Sequence, residues 1–414
     1  MTCTNWKEYK LEELTINHNS KRVPLSSRER ENRRGIYPYY GAQGVIDYID
    51  DFIFDGEYLL VAEDGNNLKE RKEDIARIAK GKFWVNNHAH ILTNNELSDL
   101  KFLKYYLNHI DISGYVTGSA QPKLNKKNLN SIKIIAPDVN EQKRISNFLY
   151  LIDYKIEVND EINKTLEEIS QTIFKHWFID FEFPNENGEP YKSSGGKFVE
   201  SELGMIPEGW KVNKIGNVTK IVRGASPRPI NDYISSNGMP WIKISDATNS
   251  YSKYILKTEE YIKIEGINKS REVKPGTLIL SNSATPGIPK EVLITACVHD
   301  GWLIFDDYCG ITKEYLYYFL LKERNNILAL SNGSVFRNLK TDILKNYKII
   351  IPEESILEKA TTFFKSINQF IKNNVLETES LEKIRNTLLP KLMSGEIRIP
   401  EAEEAVESCL QKNS

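Results

Sequence analysis

Six histidines, four cysteines and 57 carboxylates are the groups from which any catalytic or metal centre in this chain would have to be built. His88 and His90 flank Ala89, so on a strand both rings face one side and could share a metal ion. No third ligand is spaced to join them, and an ordinary polar strand face or a nucleic-acid contact accounts for the pair without a metal. The string Pro137-Asp138-Val139-Asn140-Glu141-Gln142-Lys143 superficially resembles a nuclease signature. Its carboxylates stand three residues apart just after a proline, the spacing of a helix capping box. No GxxxxGK[ST] loop, no strand-following GxGxxG turn and no Asn/Asp-Pro-Pro-Tyr/Phe run is present, which removes the usual marks of nucleotide and methyl-donor sites. No catalytic residue, metal ligand or cofactor is therefore assigned to this chain. Cys3, Cys297, Cys309 and Cys409 form no CxxC pair, a poor disulfide or zinc framework that fits a reducing cytosol.

What the chain does carry is a set of small polar loops. Gly118-Ser119-Ala120-Gln121-Pro122-Lys123 offers an amide that can pair two-pronged with adenine and a cation for guanine or phosphate. Gly333-Ser334-Val335-Phe336-Arg337 offers arginine, the commonest reader of guanine, and Arg223-Gly224-Ala225-Ser226-Pro227-Arg228 two more guanidinium groups. Glu63-Asp64-Gly65-Asn66-Asn67 and Asn282-Ser283-Ala284-Thr285-Pro286-Gly287 follow corresponding apolar runs in the two halves. Each loop alone also reads as a surface turn; their recurrence at equivalent places sets them apart. The candidate DNA contacts are Tyr40, Gln43, Asp64, Asn66, Asn87, His88, Ser119, Gln121 and Lys123 in the first half. In the second they are Arg223, Ser226, Arg228, Lys243, Ser245, Asn282, Ser283, Thr285, Ser334, Phe336 and Arg337.

These loops sit in a duplicated frame. A single shift carries 118–177 onto 333–392 without a gap: Leu124 falls on Leu339, Pro137 on Pro352, and Phe148, Ile152, Ile156 and Asn159 on Phe363, Ile367, Ile371 and Asn374. Trp6-Lys7 finds a weaker echo in Trp210-Lys211. Each copy ends in a long helix with the three-and-four spacing of a coiled-coil seam. The expected pairing residues are Ile145, Leu149, Ile152, Ile156, Leu166, Ile169 and Ile173 in the first helix, and Phe364, Ile367, Ile371, Leu381, Ile384 and Leu388 in the second. Asp138 with Glu141, and Ser355 with Glu358, are the expected starts. Asn159 and Asn374 fall at equivalent positions, where a polar side chain either fixes register or marks a solvated break in the heptad. A helix over 138–178 is about 60 Å long at 1.5 Å per residue and cannot bury its stripe alone. Ahead of each helix, β-rich runs such as Tyr58–Val61, Phe83–Val85 and His90–Leu92 are matched by Thr277–Leu280, Val292–Ile294 and Trp302–Phe305, with one helix after each set (99–110 and 312–328).

The fold class is therefore α+β: two mixed α/β domains in tandem repeat, joined by two long coiled-coil helices that pair with each other. Their expected limits are 1–137 and 210–352 for the domains, 138–183 and 353–393 for the helices, 184–209 for a Gly-, Pro-, Ser- and Glu-rich linker and 394–414 for an acidic tail. A net charge of −2 argues weakly against a protein that coats nucleic acid unaided, although Lys21, Arg22, Arg28, Arg30, Arg33 and Arg34 form a local basic run. With no run of eighteen apolar residues and no basic-then-apolar start, neither a membrane span nor a signal segment is expected, and the chain reads as cytoplasmic.

Over essentially its whole length the chain resembles the specificity subunits of type I restriction-modification systems. The resemblance rests on Ser201-Glu202-Leu203-Gly204-Met205-Ile206-Pro207-Glu208-Gly209-Trp210-Lys211 and on Gly118-Ser119-Ala120-Gln121-Pro122-Lys123-Leu124. It also rests on Phe174-Lys175-His176-Trp177-Phe178-Ile179-Asp180-Phe181 and on Leu388-Leu389-Pro390-Lys391-Leu392-Met393-Ser394-Gly395-Glu396-Ile397. It implies that the two long helices pair antiparallel as a spacer between two target recognition domains related by a pseudo-twofold axis, each domain reading half of a split double-stranded DNA target. It also implies two methylation subunits and two motor-nuclease restriction subunits as partners, with methyl donor and ATP bound on those partners. The second loop departs from the first, with Val335-Phe336-Arg337 against Ala120-Gln121-Pro122, so the two need not meet DNA alike. A complete DNA-modifying enzyme and a coiled-coil scaffold without DNA recognition are the rival readings. The first lacks its motifs, and the duplicated domains argue against the second.

Overall fold

The computed structural model describes residues 6–118, 120–248, 252–330 and 338–411. It divides into two units, Met1–Glu157 with Thr378–Ser414, and Val158–Glu377. The division cuts both long helices, so each unit is one α/β domain packed on a stretch of each helix.

In the first unit, β1 (Lys7–Lys10) pairs antiparallel with β8 (Lys133–Ala136), which leads directly into the first long helix. The main sheet has the order β2-β7-β5-β6-β3-β4, with β2 Thr15–Asn17, β3 Arg34–Gly41, β4 Gly44–Ile49, β5 Phe54–Ala62, β6 Ala76–Val85 and β7 Ala89–Asn94. Side chains alternate across it: Leu59, Val61 and Leu92 face the main core, while Leu60, Phe83 and Ile91 fill a smaller one behind. Helix α1 (Leu100–His109) covers the main face with Phe102, Leu103 and Leu107, and Asp99 caps it by accepting the Phe102 amide at 2.9 Å.

The second unit repeats this plan. β11 (Lys211–Lys214) pairs with β22 (Lys348–Ile351) as β1 does with β8. One sheet runs β12-β21-β18-β19-β15, with β12 Lys220–Arg223, β15 Tyr254–Ile255, β18 Leu278–Ser281, β19 Pro289–Val292 and β21 Trp302–Asp306. Its first four strands reproduce β2-β7-β5-β6 step for step. A second sheet, β13-β16-β14-β20-β17, is built from β13 Ile234–Ser235, β14 Met239–Ile242, β16 Glu260–Ile262, β17 Arg271–Val273 and β20 Ala296–Val298. The single long β6 of the first domain is thus matched by two strands, β19 and β20, in different sheets. Helix α3 (Lys313–Ala329) stands where α1 stands, capped by Thr312.

The long helices are α2 (Val139–Phe178) and α4 (Glu354–Ser394). Asp138 starts α2 by accepting the Asn140 and Glu141 amides at 3.0 and 3.1 Å. The expected Ser355 cap is corrected. Glu353 holds the capping position, accepting the Leu357 amide through its carbonyl, and Ser355 lies in the first turn with its hydroxyl donating to Glu353. In the first unit Ile145, Leu149 and Ile152 pack with Leu381, Ile384, Leu388 and Leu392, and Arg385 meets Asp153 at 2.8 Å. In the second, Asn374 donates to Asn163 at 3.0 Å and Phe174 packs on Phe364. Partner numbers fall along α4 as they rise along α2, so the pairing is antiparallel.

One seam residue is overturned. Ile169 is 43% exposed, Ile156, Leu166, Ile173 and Ile367 are half-buried, and the buried line of α2 runs through Asn159, Asn163, Ser170 and Phe174. Apolar character alone puts Ile169 in the stripe. An unbroken helix keeps its heptad frame through Asn159, however, and that frame leaves Ile169 outside. Asn159 is buried and donates to Glu377 at 2.9 Å. The stretch expected as a linker contains a hairpin, β9 (Phe198–Ser201) with β10 (Gly204–Pro207), and Phe183 stacks between Tyr191 and Trp210. The tail holds helix α5 (Ile399–Gln411), with Ile399 and Ala402 buried in the first unit's core.

Candidate nucleic-acid interface

In the first unit three loops meet where β5 ends and β7 begins. The Glu63 amide donates to the His88 carbonyl at 2.8 Å, the Leu124 amide to the Glu63 carbonyl at 2.8 Å, and the Gly65 amide to the Pro122 carbonyl at 3.1 Å. Gly118 makes the return possible: its φ is +86°, and the Gln121 carbonyl occupies the space a Cβ would need. The candidates Asp64, Asn66, Asn87, His88, Gln121 and Lys123 are thereby gathered on one rim. His88 pairs with Asp64 at 2.7 Å, and Glu63 receives Arg22 at 2.6 Å and Lys123 at 3.4 Å. Burial pushes the Glu63 carboxyl upward, but Arg22, by hydrogen bond and charge, and Lys123 outweigh it and hold it below its ordinary value.

His90 belongs to the frame. It is fully buried, its Nε2 donates to the Leu124 carbonyl at 2.6 Å, and its Nδ1 accepts from Asn19 at 2.7 Å. Burial lowers its pKa, so the ring is neutral. Among the described residues no three His, Cys, Asp or Glu side chains are grouped to hold a metal. Tyr40 packs edge-on to Phe83 and belongs to the core, with only its carbonyl engaging the rim through the Asn86 amide. Gln43 is exposed, and its carbonyl accepts from Arg77.

The second unit builds the same rim. The Asn282 amide donates to the Gly301 carbonyl and the Leu339 amide to the Asn282 carbonyl, both at 2.8 Å. Asn282 is thus the counterpart of Glu63, and Asp300 that of Asn87. Asn282 is buried, Ser283 half-buried and Thr285 exposed. Arg223 Nε donates to the Asp300 carbonyl at 2.7 Å, Ser226 donates to the Asp300 carboxylate at 2.6 Å, and Arg228 approaches it at 3.4 Å. Burial raises the Asp300 carboxyl, yet Ser226 and its neighbouring cations hold it below the usual range. Lys243 is neutralised by Glu260 at 2.6 Å, and Ser245 lies in the short helix Ile244–Thr248. Ser119, Ser334, Phe336 and Arg337 lie outside the described residues. Sequence reasoning missed Asp300 and the structural parts of Arg22 and Glu63; the only signal was the Asp300-Gly301 turn between two apolar runs.

A family model described as the type I restriction modification DNA specificity domain matches residues 4–168 and 207–386, once per repeat. The chain belongs to that family. It is 29% identical to the MjaIX specificity subunit of Methanocaldococcus jannaschii, over 83% of this chain and 85% of that one. It is 27% identical to a putative type I specificity subunit of Haemophilus influenzae, over 88% and 89%. Its fold matches the crystal structure of a type I S subunit from M. genitalium with a TM-score of 0.63, at 16% identity, over 95% and 97% of the two chains. The chain is accordingly a DNA specificity subunit with two recognition domains. No described helix is long and apolar enough to cross a membrane.

Proposed function

We propose that each rim reads one half of a bipartite double-stranded DNA target and that the chain itself catalyses nothing. It directs adenine methylation by two methylation subunits and cleavage by two restriction subunits, in the cytoplasm, with methyl donor and ATP held by those partners. The observation that carries this reading is the duplicated rim: two chemically different sets of polar side chains, each gathered by the same backbone hydrogen bonds at the same place in the repeat. Duplicated heads on a common body imply half-sites at a fixed spacing.

Genome-wide adenine methylation in cells making this chain with its methylation subunit tests the reading. A bipartite motif is expected only when both are present, and exchanging residues 1–137 for those of a relative should change one half-site alone. Co-purification of the two proteins with no motif would overturn it.

A further inference from the structure

The two domains build one turn and use it differently. In each, an arginine at or after the edge strand donates to the carbonyl of the same turn position: Arg22 Nη1 to Asn87 at 3.2 Å, and Arg223 Nε to Asp300 at 2.7 Å. In the first domain Glu63 then neutralises the guanidinium, and the two side chains are only 15% and 13% exposed. In the second domain the position of Glu63 is taken by neutral Asn282, and the Arg223 side chain is 58% exposed. Arg228, 71% exposed, reaches the Asp300 carboxylate as well. One Asp300 carboxylate oxygen accepts from Ser226, while the other lies 3.9 Å from Arg223 and 3.4 Å from Arg228.

We propose that Arg223 and Arg228, positioned by Asp300, read guanine in the half-site of the second domain, and that Arg22 reads nothing. This deepens the DNA-reading function above and rests on it. A guanidinium presents a planar fork of donors that matches guanine O6 and N7. Holding that fork in place beforehand reduces the rotamer freedom lost on binding. The carboxylate also favours a base over the backbone, because Asp300 would repel a phosphate, whereas the guanine edge offers neutral acceptors.

The test compares methylation motifs, and DNA binding by the complex with its methylation subunit, for the wild type and for Arg223→Lys, Arg228→Lys, Asp300→Asn and Arg22→Lys. Each arginine-to-lysine change in the second domain should relax one G·C position of the second half-site by roughly 5- to 100-fold. Asp300→Asn should relax the same positions less, and Arg22→Lys, at a residue that holds the first rim together, should relax no single G·C position of either half-site. The first half-site, read intact in every second-domain variant, reports that the complex has folded. If Arg223→Lys misfolds, Arg228→Lys at its more exposed position decides alone. A second half-site without a G·C pair overturns the proposal, as does an unchanged motif in the folded variants. An equal loss on all sequences with a shallower salt dependence also overturns it, because it marks a phosphate contact. No bipartite motif even with the wild type removes the specificity reading and this proposal together, whereas a wild-type motif that the variants leave unchanged removes only the proposal.

Discussion

Lys253 and Lys290, almost fully buried in the second unit, show how a side chain that reads as surface in the sequence becomes part of a core. Lys253 Nζ sits 4.0 Å from the ring centre of Tyr317, and the Lys253 amide donates to the Glu167 carboxylate at 3.0 Å. Burial lowers the Lys253 ammonium to about 8, with Glu291, Glu314 and Glu167 offsetting only part of it. Burial likewise lowers Lys290 to about 8 against Glu167. Unfolded, each amine keeps its proton up to its ordinary 10.5. Between pH 8 and 10.5 the unfolded chain therefore binds more protons, so these sites add stability as pH rises through that window and are least favourable below it. Urea midpoints at pH 7.5 and 10 should show the wild type gaining on Lys253→Met at the higher pH. An equal difference at both would mean that the folded amine titrates where the unfolded one does.

At the scale of elements, the heptad frame separates two isoleucine-or-leucine truncations that the sequence alone would rank together. Leu149 is fully buried in the seam of the first unit, so Leu149→Ala should cost about 2–5 kcal/mol in denaturant titration. Ile169→Ala should cost less than about 1 kcal/mol, because a side chain 43% exposed leaves no closed cavity. Equal losses would show that the seam follows the apolar stripe after all. The helices and their pairing were legible because period and capping are local signals. The position of the seam after Asn159 was not: hydrophobicity says which residues favour burial, while helical geometry says which ones can reach the partner. The hairpin at 198–207 was hidden for a related reason. Its segment is rich in Gly, Pro and Ser, but Phe183, Tyr191 and Trp210 are spaced irregularly and meet only in the folded chain.

For the whole molecule, near-zero net charge limits what the chain can do by itself. Phosphate contacts release counterions and steepen salt dependence, so a chain of charge −2 should bind DNA weakly and with a shallow salt slope by itself. Adding the methylation subunit should steepen that slope and raise affinity; titrations at several salt concentrations measure both. A slope unchanged by the partner would show that this chain supplies the phosphate contacts itself.

The sequence by itself determined the duplication, the α/β domains, the two long helices and the family, because repeats, periodicity and motifs are properties of residue order. Only the tertiary structure decided that Glu63 and Asn282 hold one position, and that Arg22 is buried in an ion pair while Arg223 stands exposed. Those facts depend on backbone hydrogen bonds between loops some 60 residues apart, such as Leu124 to Glu63 and Leu339 to Asn282. An arginine reads the same in a sequence whether a distant carboxylate buries it in an ion pair, as Glu63 does Arg22, or leaves it open to solvent, as Asp300 does Arg223. The difference lies in which side chains the folded sheet brings within about 3 Å, where charge pairing and desolvation take effect.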